Sequence, residues 1–454
     1  VELLRDQVEA GVKDHILHIA THFSNLVKVS ERVVVRHTAG QALVSLLPTL
    51  RRDQRNEVVV ELGKGLEMGQ YEISKYIPQY LGEAALFLHP SELDEQVLWL
   101  KDLLGSPNDS AVSGALNTVG VLLQHYPAYR ERFPQSETDY EARRRELLGL
   151  LLLGLAHYRE AVRQEALLVT GKLLFEAPVL PMDEKARLFA LCYRKLLFLA
   201  QGGDAGSLTF FYRAAALAHI NRFIALHRLD HGPFTFEKPR LIAFFPGTFD
   251  PFTLSHKGIV RAIRDLGFEV YLAVDEFSWS KKAQPHLIRR QIVNLSVAGD
   301  FHVHLFPDDI PVNIANPDDL HRLVDLFPGQ RVYLVAGSDV VANASSYKAP
   351  PQPYSVHHMN HVIFRRAGEA ELPSPLPIDG EVIQLQLPPH LEDISSTRIR
   401  EGVDRNRDIS SFIDPVIQDF IYQSGLYHRD SQDKPMLNAG DLTFHWEGEP
   451  DPLL

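Results

Sequence analysis

The sequence predicts a multidomain chain. An all-α half of repeated helices spans residues 1–235, an α/β half on a parallel sheet spans 236–428, and an acidic tail or linker follows at 429–454. Three observations carry this division. Apolar residues recur at three- and four-residue spacing almost throughout the first 232 residues, the period of a helix with one buried face. The segment Asp230-His231-Gly232-Pro233 then breaks any helix twice over. From Leu241 onward, short apolar runs alternate with helical segments, the pattern of a parallel sheet covered on both faces.

In the first half, Val97, Leu100 and Leu104 form one apolar stripe, with Ser91 and Asp94 as a capping pair just after Pro90. The helices are also repetitive. Ala115-Leu116, Gly120 and Leu122-Leu123 match Ala166-Leu167, Gly171 and Leu173-Leu174. Ile77, Leu81, Gly82 and Ala84-Ala85 fit the same frame, and Ala39, Leu43 and Leu46-Leu47 fit it without the glycine. The units recur after about 38, 38 and 51 residues, near the ~40–47 of HEAT or armadillo units, which they resemble. A small residue at a fixed place lets neighbouring helices approach, and stacked pairs bury one continuous core. This predicts an α-solenoid, with an unrelated helical bundle as the alternative. Such a half can dock a protein partner, regulate the other half or drive self-association.

In the second half, a first strand at 241–245 ends at Pro246-Gly247. Further strands are expected at 270–274, 302–306, 332–336 and 362–364, and helices at 255–266, 286–298 and 317–326. In this architecture ligands bind outside the carboxyl ends of the strands, where strand order reverses.

Composition narrows the function. With 46 Lys and Arg against 58 Asp and Glu, the net charge is −12, which argues against a nucleic-acid polymer as partner but not against a small anion. The single cysteine, Cys192, leaves no intrachain disulfide and no Cys-rich zinc site, and fits a reducing, cytoplasmic setting. The longest apolar run, at 147–156, is about half of the ~20 residues a bilayer requires. The opening Val1-Glu2-Leu3-Leu4 does not read as a signal peptide, and its missing Met suits a fragment or a processed chain.

Two motifs carry chemistry. The first strand is followed by Pro246-Gly247-Thr248-Phe249-Asp250-Pro251-Phe252-Thr253-Leu254-Ser255-His256. Gly247 suits a tight turn and a close backbone approach to phosphate. The helix beginning near Leu254 aims unpaired N–H groups and a positive dipole end at the loop, with His256 on its first turn. The second motif is Ile394-Ser395-Ser396-Thr397-Arg398-Ile399-Arg400. Ser395 and Ser396 cap a second helix, and Arg398 adds a fork of donors suited to phosphate. Singly, each motif is also consistent with an ordinary capped helix. Their joint occurrence in this order is much harder to obtain by accident.

Together they make residues 240–427 resemble the nucleotidyltransferase superfamily with T/HxGH and ISSTxxR signatures, a Rossmann-like fold. Two members compete. The stretch Pro246 to Pro251 with Thr253, and Ser280-Lys281-Lys282, look like phosphopantetheine adenylyltransferase. Leu334-Val335-Ala336-Gly337-Ser338-Asp339, Tyr347, the second motif and the ending Val416, Phe420-Ile421, Gly425-Leu426-Tyr427 look like nicotinate or nicotinamide mononucleotide adenylyltransferase, which is favoured. One residue departs from the pattern: Ser255 stands where the family has Gly before the signature His.

The resemblance implies that a substrate phosphate attacks the α-phosphorus of ATP, with Mg2+ on the nucleotide phosphates. His256, Thr253 and Arg398 would be catalytic. Gly247, Thr248, Phe249, Asp250, Ser255, Ser395, Ser396 and Thr397 would surround ATP and its phosphates. Lys281, Lys282, Gly337, Asp339, Tyr347 and Arg365 would contact substrate, with Tyr347 stacking on the pyridine ring. The rival reading is a helical-repeat interaction protein whose second half senses nucleotide or has decayed, with Ser255 as its main support. Histidine groups at 15, 18 and 22, at 219, 227 and 231, and at 357, 358 and 361 read as surface or packing residues rather than metal ligands. Neither GxSxG, P-loop nor CxxC occurs.

Overall fold

The computed structural model describes residues 15–68, 70–201, 209–236, 238–275, 283–365 and 376–428. The expected tail at 429–454 lies outside them. The first half is helical: α1 (Ile16–Val29), α2 (Val33–Leu46), α3 (Arg52–Glu67), α4 (Tyr71–Ser74), α5 (Ile77–Ala85), α6 (Pro90–Leu103), α7 (Asp109–Arg132), α8 (Glu137–Ala156), α9 (Glu160–Leu168) running into a π-helical stretch (Val169–Glu176), α10 (Met182–Gln201) and α11 (Thr209–His231). Side chains set the starts. Asn108 accepts from the N–H groups of Ser110 and Ala111, and Ser136 from that of Asp139. The start of α6 differs from expectation. His89 is the cap and Glu92 reaches back to its N–H, so Pro90 occupies the first helical position, where its missing N–H costs nothing.

The aligned small residues face the next unit in turn. A Cβ on Gly82 would stand 2.7 Å from Val121, on Gly120 2.5 Å from Val169, and on Gly171 2.8 Å from Ala216. Gly40, which the repeat frame leaves out, meets Tyr80 in the same way at 2.4 Å. Each glycine therefore removes the side chain that would separate one unit from its neighbour. A single apolar core runs through the half from Ile16 to Phe223.

The second half contains β1 (Leu241–Gly247), α12 (Leu254–Asp265), β2 (Phe268–Val274), α13 (His286–Val297), β3 (Val303–Leu305), α14 (Pro317–Asp325), β4 (Arg331–Gly337), α15 (Ser338–Asn343), α16 (Ser345–Lys348), β5 (Asn360–Arg365), β6 (Val382–Gln386), α17 (Pro389–Glu392), α18 (Ser396–Asp404) and α19 (Pro415–Gln423). The six strands among the described residues are all parallel, in the order β3-β2-β1-β4-β5-β6. That is the Rossmann order, and the reversal falls between β1 and β4. Apolar layers cover both faces, one built on Ala243, Phe245 and Val270, the other on Ile242, Phe244 and Leu334. β6, a half-exposed edge strand, is not among the strands that the apolar pattern predicts.

The halves share surfaces. Ala156, with Leu153 and Tyr158, packs into the α/β core, while Phe301 belongs to the helical core. Among the described residues no helix is long and apolar enough to cross a membrane.

Candidate functional site

A cavity of about 990 Å³ opens at the carboxyl ends of β1, β2, β4 and β5. Its walls include Gly247 to Asp250 and His256, Ala273 to Asp275, Ala336, Gly337 and Asp339, and Ser395, Ser396, Thr397 and Arg400. A further lobe is formed by Phe306, Asp308, Ile310, Val312 and Ile314 after β3. The position is the one expected of a ligand site at a switch point.

The first motif places His256 by a reciprocal cap. Thr253 caps α12, its Oγ1 accepting the His256 N–H at 3.2 Å, while the Thr253 N–H donates to His256 Nδ1 at 3.0 Å. A neutral imidazole whose Nδ1 accepts carries its proton on Nε2. The ring sits edge-on to Phe249 and beside Phe252, each centroid 5.3 Å away. Phe249 holds a left-handed φ of 46°, which folds the loop back over the strand end. Gly247 is the last residue of β1 rather than a turn glycine. What demands glycine there is space, because a Cβ would stand 2.8 Å from the Phe249 ring.

The second motif docks onto the first. Ser395 caps α18 by accepting the Arg398 N–H, and Ser396 Oγ donates to the Pro251 carbonyl at 2.8 Å. Arg400 donates to the Asp250 carbonyl and to Thr397 Oγ1, and stands 3.7 Å from the Asp250 carboxylate. Thus α18 opens its N-terminus on the cavity, a standing preference for anions, while α12 contributes His256 from its first turn and spends its Leu254 and His256 N–H groups on Phe412 and Thr253. The carboxylates in the wall are largely engaged. Asp250 accepts from Tyr427 at 2.8 Å, Asp308 pairs with Arg290, and Asp319 pairs with Arg322. Burial pushes the Asp275 carboxyl up, opposed by the charge of Arg289.

Several expected site residues lie elsewhere. Arg398 is exposed, stacks 4.5 Å over the Phe412 ring and does not line the cavity. Arg400, two residues on and therefore about 200° around the helix, faces it instead. In this sequence Arg400 also holds the final place of the ISSTxxR string, which was the available signal. Thr253 is buried behind the cavity as a cap, so it positions His256 rather than touching a ligand. Tyr347 is buried as well. His361 Nδ1 donates to the Met359 carbonyl, so its Nε2 accepts from the Tyr347 hydroxyl at 2.8 Å, and burial pushes the His361 pKa down to about 4. That locks the Tyr347 ring against β5 and away from the cavity wall. Arg365 ends β5 exposed and outside the wall. Gly337 and Asp339 line the cavity, and a Cβ on Gly337 would stand 2.4 Å from Asp339 Oδ1. Lys281 and Lys282 lie outside the described residues.

Ser255 is fully buried, its Oγ has no hydrogen-bond partner, and it does not line the cavity. It therefore leaves the space for a ligand unchanged. An unpaired buried hydroxyl is costly, so Ser255→Ala is expected to stabilise the chain by about 1 kcal/mol. Urea unfolding checks this, and a lower midpoint in the variant would show that the hydroxyl is bonded.

Arg289 was not anticipated. It is fully buried on α13, and it donates to the carbonyls of Thr248 at 2.6 Å, Asp275 at 2.7 Å and Gln284 at 2.8 Å. It thereby ties the ends of β1 and β2 together beneath the cavity.

Residues 244–402 match the family model described as Cytidylyltransferase-like, so this part of the α/β half resembles the nucleotidyltransferase superfamily. A comparison with curated proteins returns no match. Similar solved structures include Plasmodium falciparum nicotinic acid mononucleotide adenylyltransferase complexed with NaAD and the same enzyme complexed with APC. Each is 18% identical, with the likeness covering 41% of this chain and 97% of that one at a TM-score of 0.35.

Proposed function

We propose that this cavity binds ATP and transfers its AMP part to the phosphate of a nicotinate or nicotinamide mononucleotide, releasing pyrophosphate. One observation carries the nucleotide site: the N-terminus of α18 with Arg400, and His256 from the first turn of α12, line a single cavity. The family match supports nucleotidyl transfer in general. The choice of acceptor rests on the resemblance of the 334–339 stretch and the second motif.

A phosphate oxygen of the acceptor forms a bond to the α-phosphorus, and the bond from that phosphorus to the pyrophosphate oxygen breaks. The acceptor phosphate is already ionised at neutral pH, so no general base is needed. Catalysis is then positioning plus stabilisation of developing charge. His256 supplies an Nε2–H donor to the transferring group. Ser395, Ser396, Thr397 and Arg400 hold the departing phosphates, and Lys281 or Lys282 meets the incoming one. Mg2+ is proposed to arrive on the nucleotide phosphates, as the resemblance implies.

A pyrophosphate-release assay with ATP, Mg2+ and four acceptors tests this reading: nicotinate mononucleotide, nicotinamide mononucleotide, phosphopantetheine and glycerol 3-phosphate. Turnover of a pyridine mononucleotide is expected. Turnover of phosphopantetheine alone moves the acceptor assignment, and turnover of none overturns the enzyme reading. Arg400→Ala should raise KM for ATP by roughly 10- to 100-fold, the worth of a charge-assisted hydrogen bond to phosphate. Arg398→Ala should change KM less than about threefold, since its guanidinium lies over Phe412 at the surface. Reversal of that order would return the phosphate contact to Arg398.

A further inference from the structure

The helical half grips two helices of the α/β half; one of them, and the chain just after the other, brings a side chain to the loop at 247–251. One is α13. Gly149 of α8 lies so close to Gly299 that a Cβ on either would stand 3.0 Å from the other's carbonyl oxygen. Gln291 donates to the Ala156 carbonyl at 3.1 Å, and Lys195 Nζ donates to the Val297 carbonyl at 2.6 Å, at the C-terminal end of α13. The same helix carries Arg289, which holds the Thr248 carbonyl. The other is α19. Tyr158 donates from its hydroxyl to Asp419, and its ring packs 5.2 Å from Phe420. The chain leaving α19 passes through Tyr427, whose hydroxyl donates to Asp250.

We propose that the helical half braces the nucleotide-binding loop through these two helices, with Lys195 and Tyr158 as its positioning residues, so that displacing it weakens nucleotide binding. The proposal rests on the reading of the cavity as a nucleotide site. Neither positioning residue lines that cavity. A helix moves as a rigid rod, so a shift at Val297 carries Arg289 and the Thr248 carbonyl with it.

The test uses Lys195→Met and Tyr158→Phe, singly and together, in the full chain. Both are gentle on folding. Val297 retains the Asp300 N–H as donor. Burial pushes the Lys195 ammonium down to about 7, so losing it relieves desolvation. Tyr158→Phe keeps the ring. Calorimetric titration with ATP and Mg2+ should show binding weakened about threefold in each single variant and about tenfold in the double. Amide exchange at 247–250 should accelerate in parallel. A purely structural junction predicts instead a lower unfolding midpoint with ATP affinity within twofold of the parent, and that result in both single variants overturns the brace. A parent chain that binds no ATP overturns the nucleotide-site reading, which is a different failure.

Discussion

His256→Ala should lower kcat for pyrophosphate release by roughly 10²- to 10³-fold, the usual cost of removing one preorganised donor from a buried transition-state site. The local geometry makes the size of this effect specific. The Thr253 N–H fixes Nδ1 as an acceptor, which sets the tautomer, and Phe249 and Phe252 fix the plane of the ring. The donor is therefore aligned before substrate arrives and needs no reorganisation during the step. The variant also opens the cap of α12, at a stability cost of about 1 kcal/mol, too little to unfold the domain. KM for ATP should change far less than kcat, because the interaction strengthens as charge develops. Single-turnover kinetics alongside circular dichroism separate these terms. A kcat within threefold of the parent would remove His256 from the chemistry.

That prediction was open to sequence reasoning because His256 and its cap are local. The spacing from Thr253 to His256 is one helical turn, and strand, turn and helix follow in order within a few residues. Local signals likewise place β1, β2 and β4, whose apolar runs end at glycines or loops. The glycines at 82, 120 and 171 were legible for a similar reason, since a repeated small residue marks a repeated close approach. β6 escaped notice because Val382 to Gln386 is an edge strand with partly exposed side chains, so its apolar pattern is diluted. Arg398 and Arg400 illustrate a different limit. Both suit phosphate, and only their angular position on α18 separates a surface residue from one in the cavity wall. Tyr347 shows the same limit for an aromatic: spacing located it, but the bond to His361 decides which way its ring lies.

Arg289→Met is expected to destabilise the α/β half by about 3–5 kcal/mol, because it leaves buried carbonyls without their donor. Nothing in the sequence around position 289 announces this, because its partners are backbone carbonyls from three separate segments. The guanidinium fork satisfies the carbonyls of Thr248, Asp275 and Gln284 at once, and the Met thioether offers no donor to any of them. Each orphaned buried carbonyl costs on the order of 1–3 kcal/mol, and relaxation of the loops keeps the three from adding in full. Asp275 adds a second cost. Its carboxyl is already pushed up by burial and held back by the Arg289 charge, so the variant should raise it further. Arg289→Lys should recover only part of the loss, since one ammonium cannot span three carbonyls placed for a fork. Urea unfolding of the full chain, followed by a probe in the α/β half, gives the comparison. A loss below about 1 kcal/mol for Arg289→Met would mean that the loop carbonyls find other donors, and the clamp beneath the cavity would then have to be assigned elsewhere.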